Sequence, residues 1–237
     1  MTQGTITTRP VTAISQTAAR LSLAGAAMFV VLLAALHLIK PELNPSWHFI
    51  SEYAIGRHGW MMVLAFGSLA FSYVMLTVAL RSQLRTIWGR IGLALLLVSA
   101  AGLAIAAIFT TDPITASKDA VTSEGRLHNL GGTLGIAMPV AAVLVGWSLA
   151  RNQAWTSARR PLIWATALAL LSFVVSFSSL TVLLSQHDGR FGPEVLVGWP
   201  NRLEVLAYSV WLLVVAWHAA RLPQQRPAVG GNRGPRR

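Results

Sequence analysis

Six uninterrupted apolar stretches, each about 20 residues long, leave this chain few ways to fold. They run approximately Leu21–Ile39, Trp60–Leu80, Ile91–Phe109, Leu130–Leu149, Leu162–Leu184 and Leu203–Ala220. Roughly 20 apolar residues are what a helix needs to cross a hydrocarbon core of ~30 Å. Lipid offers no hydrogen bonds to an open backbone, so only helices or closed barrels span it. No strand-like alternation is present, and the expected fold class is all-α: a polytopic membrane protein built as a bundle of six transmembrane helices. Composition agrees, with 54% hydrophobic residues and a mean hydropathy of +0.56. Only 11% of residues are charged, against the ~25% of an ordinary soluble domain. The first stretch is longer than a signal peptide's apolar region, and no convincing small-x-small cleavage site follows it before Lys40, so it is expected to stay as a helix.

Charge sets the expected orientation. The N-terminal arm, the 81–90 and 151–161 loops and the C-terminal tail carry thirteen of the nineteen basic residues and no acidic one. The 40–59, 110–127 and 185–202 loops, with the start of the last helix, carry all eight acidic residues. By the positive-inside rule the first set is cytoplasmic, so both N and C termini are expected there and the three longer loops face out. The net charge of +11 then reflects topology rather than nucleic-acid binding. The expected organisation is a disordered arm over 1–19, a six-helix domain over 20–222 and a disordered basic tail over 223–237. With no cysteine, disulfide and thiolate chemistry are excluded.

Groups able to do chemistry concentrate in the acidic loops. In a helical turn across Trp47–Tyr53, His48, Ser51 and Glu52 would share one face. A hydroxyl, an imidazole and a carboxylate are the parts of a base-assisted nucleophile, although Ser51 could equally cap a turn. Asp112 follows the third stretch and precedes Pro113, which is expected to end that helix. Arg126 and His128 lead into the fourth stretch at similar depth, making them the expected partners of Asp112, as a structural clasp or as a site. Asn201, Arg202 and Glu204 open the last helix; ionisable groups there must face the bundle or a wet cavity, unless Arg202 snorkels to the headgroups.

His37 and His218 lie near helix ends with no evident partner and are expected at the interface. No His-x-x-x-His or His-Glu-x-x-His pair occurs, so zinc would have to be assembled across helices from His48, Asp112, His128 and His187; no metal or other cofactor is assigned. Gly67, Gly89, Gly92, Gly102, Gly131, Gly132 and Gly135 are expected to let helices approach closely. Trp47, Trp60, Trp88, Trp147, Trp155, Trp199 and Trp217 are expected in aromatic belts. Interrupted helices and an inverted repeat, the usual pointers to a coupled transporter, are not evident.

Four motifs in order carry a resemblance. They are His48-x-x-Ser51 followed by Gly56-Arg57-x-Gly59-Trp60; Ile108-Phe109-Thr110-Thr111-Asp112-Pro113; Gly125-Arg126-Leu127-His128-Asn129-Leu130-Gly131-Gly132; and Asn201-Arg202-Leu203. With this topology the chain resembles a bacterial six-helix membrane family known as domain of unknown function 998. The resemblance spans helix one to helix six and implies a bacterial cytoplasmic-membrane protein with an outward-facing site built from His48, Ser51, Asp112, His128 and Arg202. Here Asn129 stands where family members commonly carry an acid, and Asn201 where Gln is common. A more distant likeness is to ceramidase-like membrane hydrolases, whose paired histidines on the last helix are absent here.

Three functions are thereby framed. The first is an outward polar pocket that binds or handles a lipid or small amphiphile, with Arg126, Asn201, Arg202 and Glu204 as ligand-binding candidates. The second is a membrane hydrolase or transferase using His48, Ser51, Asp112 and His128 as catalytic candidates. The third is a structural or partner-binding protein in which the polar cluster staples the helices. The expected partners are membrane lipids, not nucleic acid, and the oligomeric state is left open. For topology, a reporter enzyme fused after Arg221 is expected to be active only when it requires the cytoplasm. Activity from an exported-only reporter at that point would overturn the orientation.

Overall fold

In a computed structural model, which describes residues 13–223, the chain folds into seven α-helices that make six membrane-length spans. They are α1 (Ala13–Ile39), α2 (Trp60–Leu80), α3 (Ile87–Ile108), α4 (Ser123–Gly135), α5 (Ala137–Ala150), α6 (Arg159–Gln186) and α7 (Gly198–Arg221). The described residues contain no strand. Helix α1 begins at Ala13, so residues 13–19 belong to it rather than to the expected arm; small, helix-tolerant residues such as Ala18 and Ala19 extend it, and both are buried. Residues 1–12 of that arm and 224–237 of the expected tail lie outside the described residues.

The helices form a ring in which neighbours in sequence are neighbours in space. Helix α1 packs on α2, α2 on α3, α3 on both α4 and α5, α5 on α6, α6 on α7, and α7 closes the ring on α1. Helix α2 also reaches across to α7. In lipid this association depends on close packing and interhelical hydrogen bonds rather than on apolar burial. The α1–α2 contact shows both. The Ser72 hydroxyl donates to the Ser22 carbonyl (2.8 Å), the two hydroxyls lie 3.1 Å apart, and a Cβ at Gly25 would come within 2.7 Å of the Ser68 carbonyl. On the far side, the Trp211 indole donates to Thr166 Oγ1 (3.1 Å), joining α7 to α6.

The fourth span is interrupted at Ile136, contrary to the expectation of unbroken helices. Pro139 explains the break: it has no N–H to give the Gly135 carbonyl, and its ring crowds that carbonyl. The two halves therefore take different neighbours, α4 lying on α3 while α5 packs on α3 and α6. Between α4 and α6 the long-loop end of the bundle is left with a lateral gap. Asn129, Gly132, Thr133 and Ile136 on one side and Phe177 on the other are exposed along it.

The glycines divide accordingly. Cβ atoms built at Gly102 or Gly131 would stand 2.5 Å from the other's carbonyl oxygen, and one at Gly92 would stand 2.8 Å from Val145, so these three bring helices together. Gly67, Gly132 and Gly135 meet nothing within 4 Å and are not packing residues. Trp155 is also not in a belt: it is 1% exposed beneath the 153–158 turn, whereas Trp60, Trp88, Trp147, Trp199 and Trp217 are exposed as expected. Gly131→Ala is expected to cost about 1–3 kcal/mol through overpacking of α3 against α4. Gly132→Ala, one residue along, should change stability by no more than about 0.5 kcal/mol. Unfolding in detergent with equal losses for both would contradict this packing.

Candidate functional site

At the long-loop end the polar residues sort into two assemblies, a buried clasp and a cavity, which share the start of α7. The clasp centres on Arg202, which is 3% exposed and therefore does not snorkel. Its Nε donates to His37 Nε2 (2.8 Å), Nη1 to the carbonyls of His48 (2.7 Å) and Gly198 (3.1 Å), and Nη2 to the Tyr53 hydroxyl (3.3 Å). Because an arginine nitrogen can only donate, His37 Nε2 accepts, and its Nδ1 proton goes to the Leu33 carbonyl (2.7 Å). His37 thus has partners, contrary to the sequence reading, and links α1 to α7. A rigid fork suits this site because several carbonyl and ring acceptors converge on one planar cation.

The loop after α1 completes the clasp. Residues Ile50–Ala54 form a short 3-10 turn, which brings Glu52 back toward His48. Buried Glu52 accepts from His48 Nδ1 (2.9 Å), from the Phe49 amide (3.1 Å) and, through its other oxygen, from the Ile114 amide in the second long loop (2.9 Å). Lys40, 5% exposed, donates to the carbonyls of Ile55 (2.5 Å) and Tyr53 (3.4 Å). Asn201 accepts the Ile50 amide (3.1 Å), and the Gly198 amide donates to the Ser46 carbonyl (2.9 Å). A Cβ at Gly198 would collide with the Pro45 carbonyl, so this docking requires a glycine there.

The expected pairing of Asp112 with Arg126 or His128 is not formed. Helix α3 ends at Ile108, before Pro113 is reached, and Asp112 instead holds the entry to α4. Its oxygens accept from the Thr122 amide (2.9 Å) and hydroxyl (3.0 Å), while Thr122 in turn caps Gly125 (3.0 Å). A Cβ at Gly125 would strike the Asp112 carboxylate. Arg126 is exposed and donates to the Val121 carbonyl (3.0 Å). His128 is buried and its Nδ1 donates to the Phe109 carbonyl (2.9 Å), tying α4 to the end of α3.

The second assembly is a cavity of about 450 Å³ bounded by α2, α3, α4, α6 and α7, with Phe49–Ser51 of the first loop at its edge. Its wall is mostly apolar, including Phe66, Leu69, Leu103, Met138 and Phe173. Set into it are Ser51, Tyr73, Ser99, His128, Asn129, Asn201, Glu204 and Tyr208. Tyr208 donates to Glu204 Oε1 (2.9 Å). Neither Lys nor Arg lines the cavity, and among the described residues Glu204 has no ion-pair partner. An ionised side chain within a span costs about 2.5–3.5 kcal/mol on insertion scales, which is why such groups turn inward. A separate apolar groove of about 610 Å³ lies outside, between α1, α6 and α7, with Trp199 at its rim and His37 and Arg202 at its base.

The sequence-derived candidates are therefore dispersed. Ser51, His128, Asn201 and Glu204 meet at the cavity, whereas His48 and Arg202 belong to the clasp, and Asp112 and Arg126 to the start of α4. Among the described residues no three His, Asp or Glu side chains come together as they would around a metal ion; His187 only returns a bond to the Leu183 carbonyl (2.8 Å). Lys40, Tyr53, Tyr73, Ser99 and Tyr208 were not singled out from sequence. One signal was available: the chain has only three tyrosines, all of them buried here around these polar groups.

Six spans long and apolar enough to cross a bilayer, with their polar groups turned inward, define a multi-pass integral membrane protein. Residues 23–218 match the family described as "Protein of unknown function (DUF998)", and the chain belongs to that family. No curated protein and no solved structure matches it. As a test of the clasp, Arg202→Lys should lose about 3 kcal/mol, since an ammonium cannot satisfy all four acceptors. Asp112→Asn, which keeps an acceptor for Thr122, should lose about 1 kcal/mol or less. The reverse order in thermal unfolding would remove Arg202 from its central place.

Proposed function

We propose that this protein binds a lipid or small amphiphile in the cavity between α4, α6 and α7, on the outward face of a bacterial cytoplasmic membrane. The observation that carries the reading is the cavity itself. A volume of about 450 Å³ with an apolar wall and a few polar groups is what small-molecule sites have in common. The gap left where α4 leans away from α6 gives such a ligand a lateral way in from the bilayer. The outward assignment rests on the absence of acidic residues from the Arg-rich side.

The polar residues then divide between two tasks. His48, Glu52, Asp112 and Arg202 staple loops and helices, as the structural reading expects, and Ser51, His128, Asn201 and Glu204 are left to face the ligand. This division weighs against a Ser/Asp/His hydrolase, because Asp112 is held by Thr122 and His48 by Glu52. A nucleophile needs its base and the orienting acid in one chain of contacts.

Gly132→Trp tests the reading, since position 132 lines the cavity and has open space for a side chain. In reconstituted vesicles holding a phospholipid with a photoreactive acyl chain, crosslinks in the wild type should map to α4 and α6 along the gap. They should drop several-fold in the variant while its unfolding temperature stays close to wild type. Crosslinks spread evenly over all lipid-facing helices, and unchanged by Gly132→Trp, would sink the proposal.

A further inference from the structure

We propose that the cavity selects an amphiphile with a cationic, ammonium-type head, for which Glu204 is the counter-charge. This rests on the ligand-binding reading above and adds the chemistry of the ligand's head. Glu204 is the one formally charged residue among those lining the cavity, and none of them is Lys or Arg. Its carboxylate accepts from the Tyr208 hydroxyl at 2.9 Å and from the Ser176 side chain, both neutral donors. An anionic head would therefore meet a carboxylate with no cation to offset it, and a neutral head would leave that carboxylate without a counter-charge inside a span. A cationic head supplies the missing charge.

The wall favours the same class. Phe66, Tyr73, Phe173, Phe177 and Tyr208 all line this cavity, and aromatic faces attract ammonium groups most strongly where water is excluded. An aromatic wall with one carboxylate is the chemistry that recognises quaternary and primary ammonium groups. A second, independent observation points to a ligand here. Ser99 on α3 lines the cavity at 1% exposure, and its hydroxyl has no hydrogen-bond partner. Buried hydroxyls are nearly always bonded, so a polar group brought in by a ligand would complete this one. Both Ser99 and Glu204 lie well inside their helices, Glu204 six residues beyond the start of α7, or roughly 9 Å along its axis. The head is thus drawn below the surface, and the chain leaves through the gap between α4 and α6.

The test uses the full chain, purified in a neutral maltoside detergent, with three single-chain probes of equal length: dodecyltrimethylammonium, a neutral dodecyl glycol ether and dodecyl phosphate. Binding is read by displacement of a fluorescent alkyl probe. The wild type should bind the ammonium probe at least about tenfold more tightly than either of the others. Glu204→Gln should abolish that preference while retaining the neutral probe. Tetramethylammonium, which has a head and no chain, distinguishes sources: competition by it at similar concentration would overturn the amphiphile requirement in favour of a free ammonium solute. Equal or tighter binding of the neutral or phosphate probe to the wild type would overturn the charge assignment while leaving the ligand-binding reading intact. Failure of all three probes, with Gly132→Trp also without effect, would remove the ligand-binding reading itself. The wild-type ranking stands as a test even if Glu204→Gln does not fold.

Discussion

Hydrocarbon supplies no hydrogen bonds, and most of what distinguishes this bundle from six greasy cylinders follows from that. A guanidinium at the edge of the membrane must bring its acceptors with it, so Arg202 draws a ring nitrogen from α1, two carbonyls and a tyrosine hydroxyl onto itself. Those acceptors belong to segments far apart in sequence. Satisfying one side chain thus fixes how α1, the first long loop and α7 sit together. Glu52 does the same for the first and second loops by accepting from His48, Phe49 and Ile114. The two charges do not pair with each other. Each is instead held by hydrogen bonds to dipoles and a ring nitrogen, which offset the cost of taking the charge out of water.

The same constraint explains why the cavity sits where it does. Pro139 takes a hydrogen bond out of the fourth span, and the freed turn lets α4 follow α3 while α5 keeps its contact with α6. The contact of α4 with α3 is made close by Gly102 and Gly131 and fixed at its start by Asp112 and Thr122. Space is created on the other side of α4 as a result. Gly132 and Gly135 border that space, which is why a side chain at either would meet nothing.

Much of the fold was legible because hydropathy over twenty residues is a strong signal. The six spans agree with the sequence reading except at their ends and at the fourth, where Pro139 leaves the Gly135 carbonyl without its helical donor. The functional end was legible in kind and not in detail. Motif residues such as His48, Asp112, His128 and Arg202 were identified, but which residue each contacts depends on loop geometry that spacing does not encode. Asp112 illustrates this. At comparable sequence distances it could have reached Arg126 or His128, and a hold on the Thr122 amide and hydroxyl won because it satisfies the start of α4. Tyr73 and Ser99 were missed for a simpler reason: a lone hydroxyl in an apolar stretch carries no pattern.

Arg202 and Glu204 stand two residues apart on α7, hence about 200° apart around its axis. One side faces the clasp and the groove beside α1, the other the cavity. Rotation of α7 is the degree of freedom that would carry Glu204 and Tyr208 together out of the cavity, and Arg202 removes it by locking the opposite face to His37, His48 and Tyr53. Asn201, just before them in sequence, holds the Ile50 amide and so sets Phe49, Ile50 and Ser51 at the cavity's edge. The Asn201-Arg202-x-Glu204 segment therefore connects the two assemblies: the clasp is what gives a single carboxylate a defined place inside the membrane, and without it the cavity would have a wall but no fixed charge.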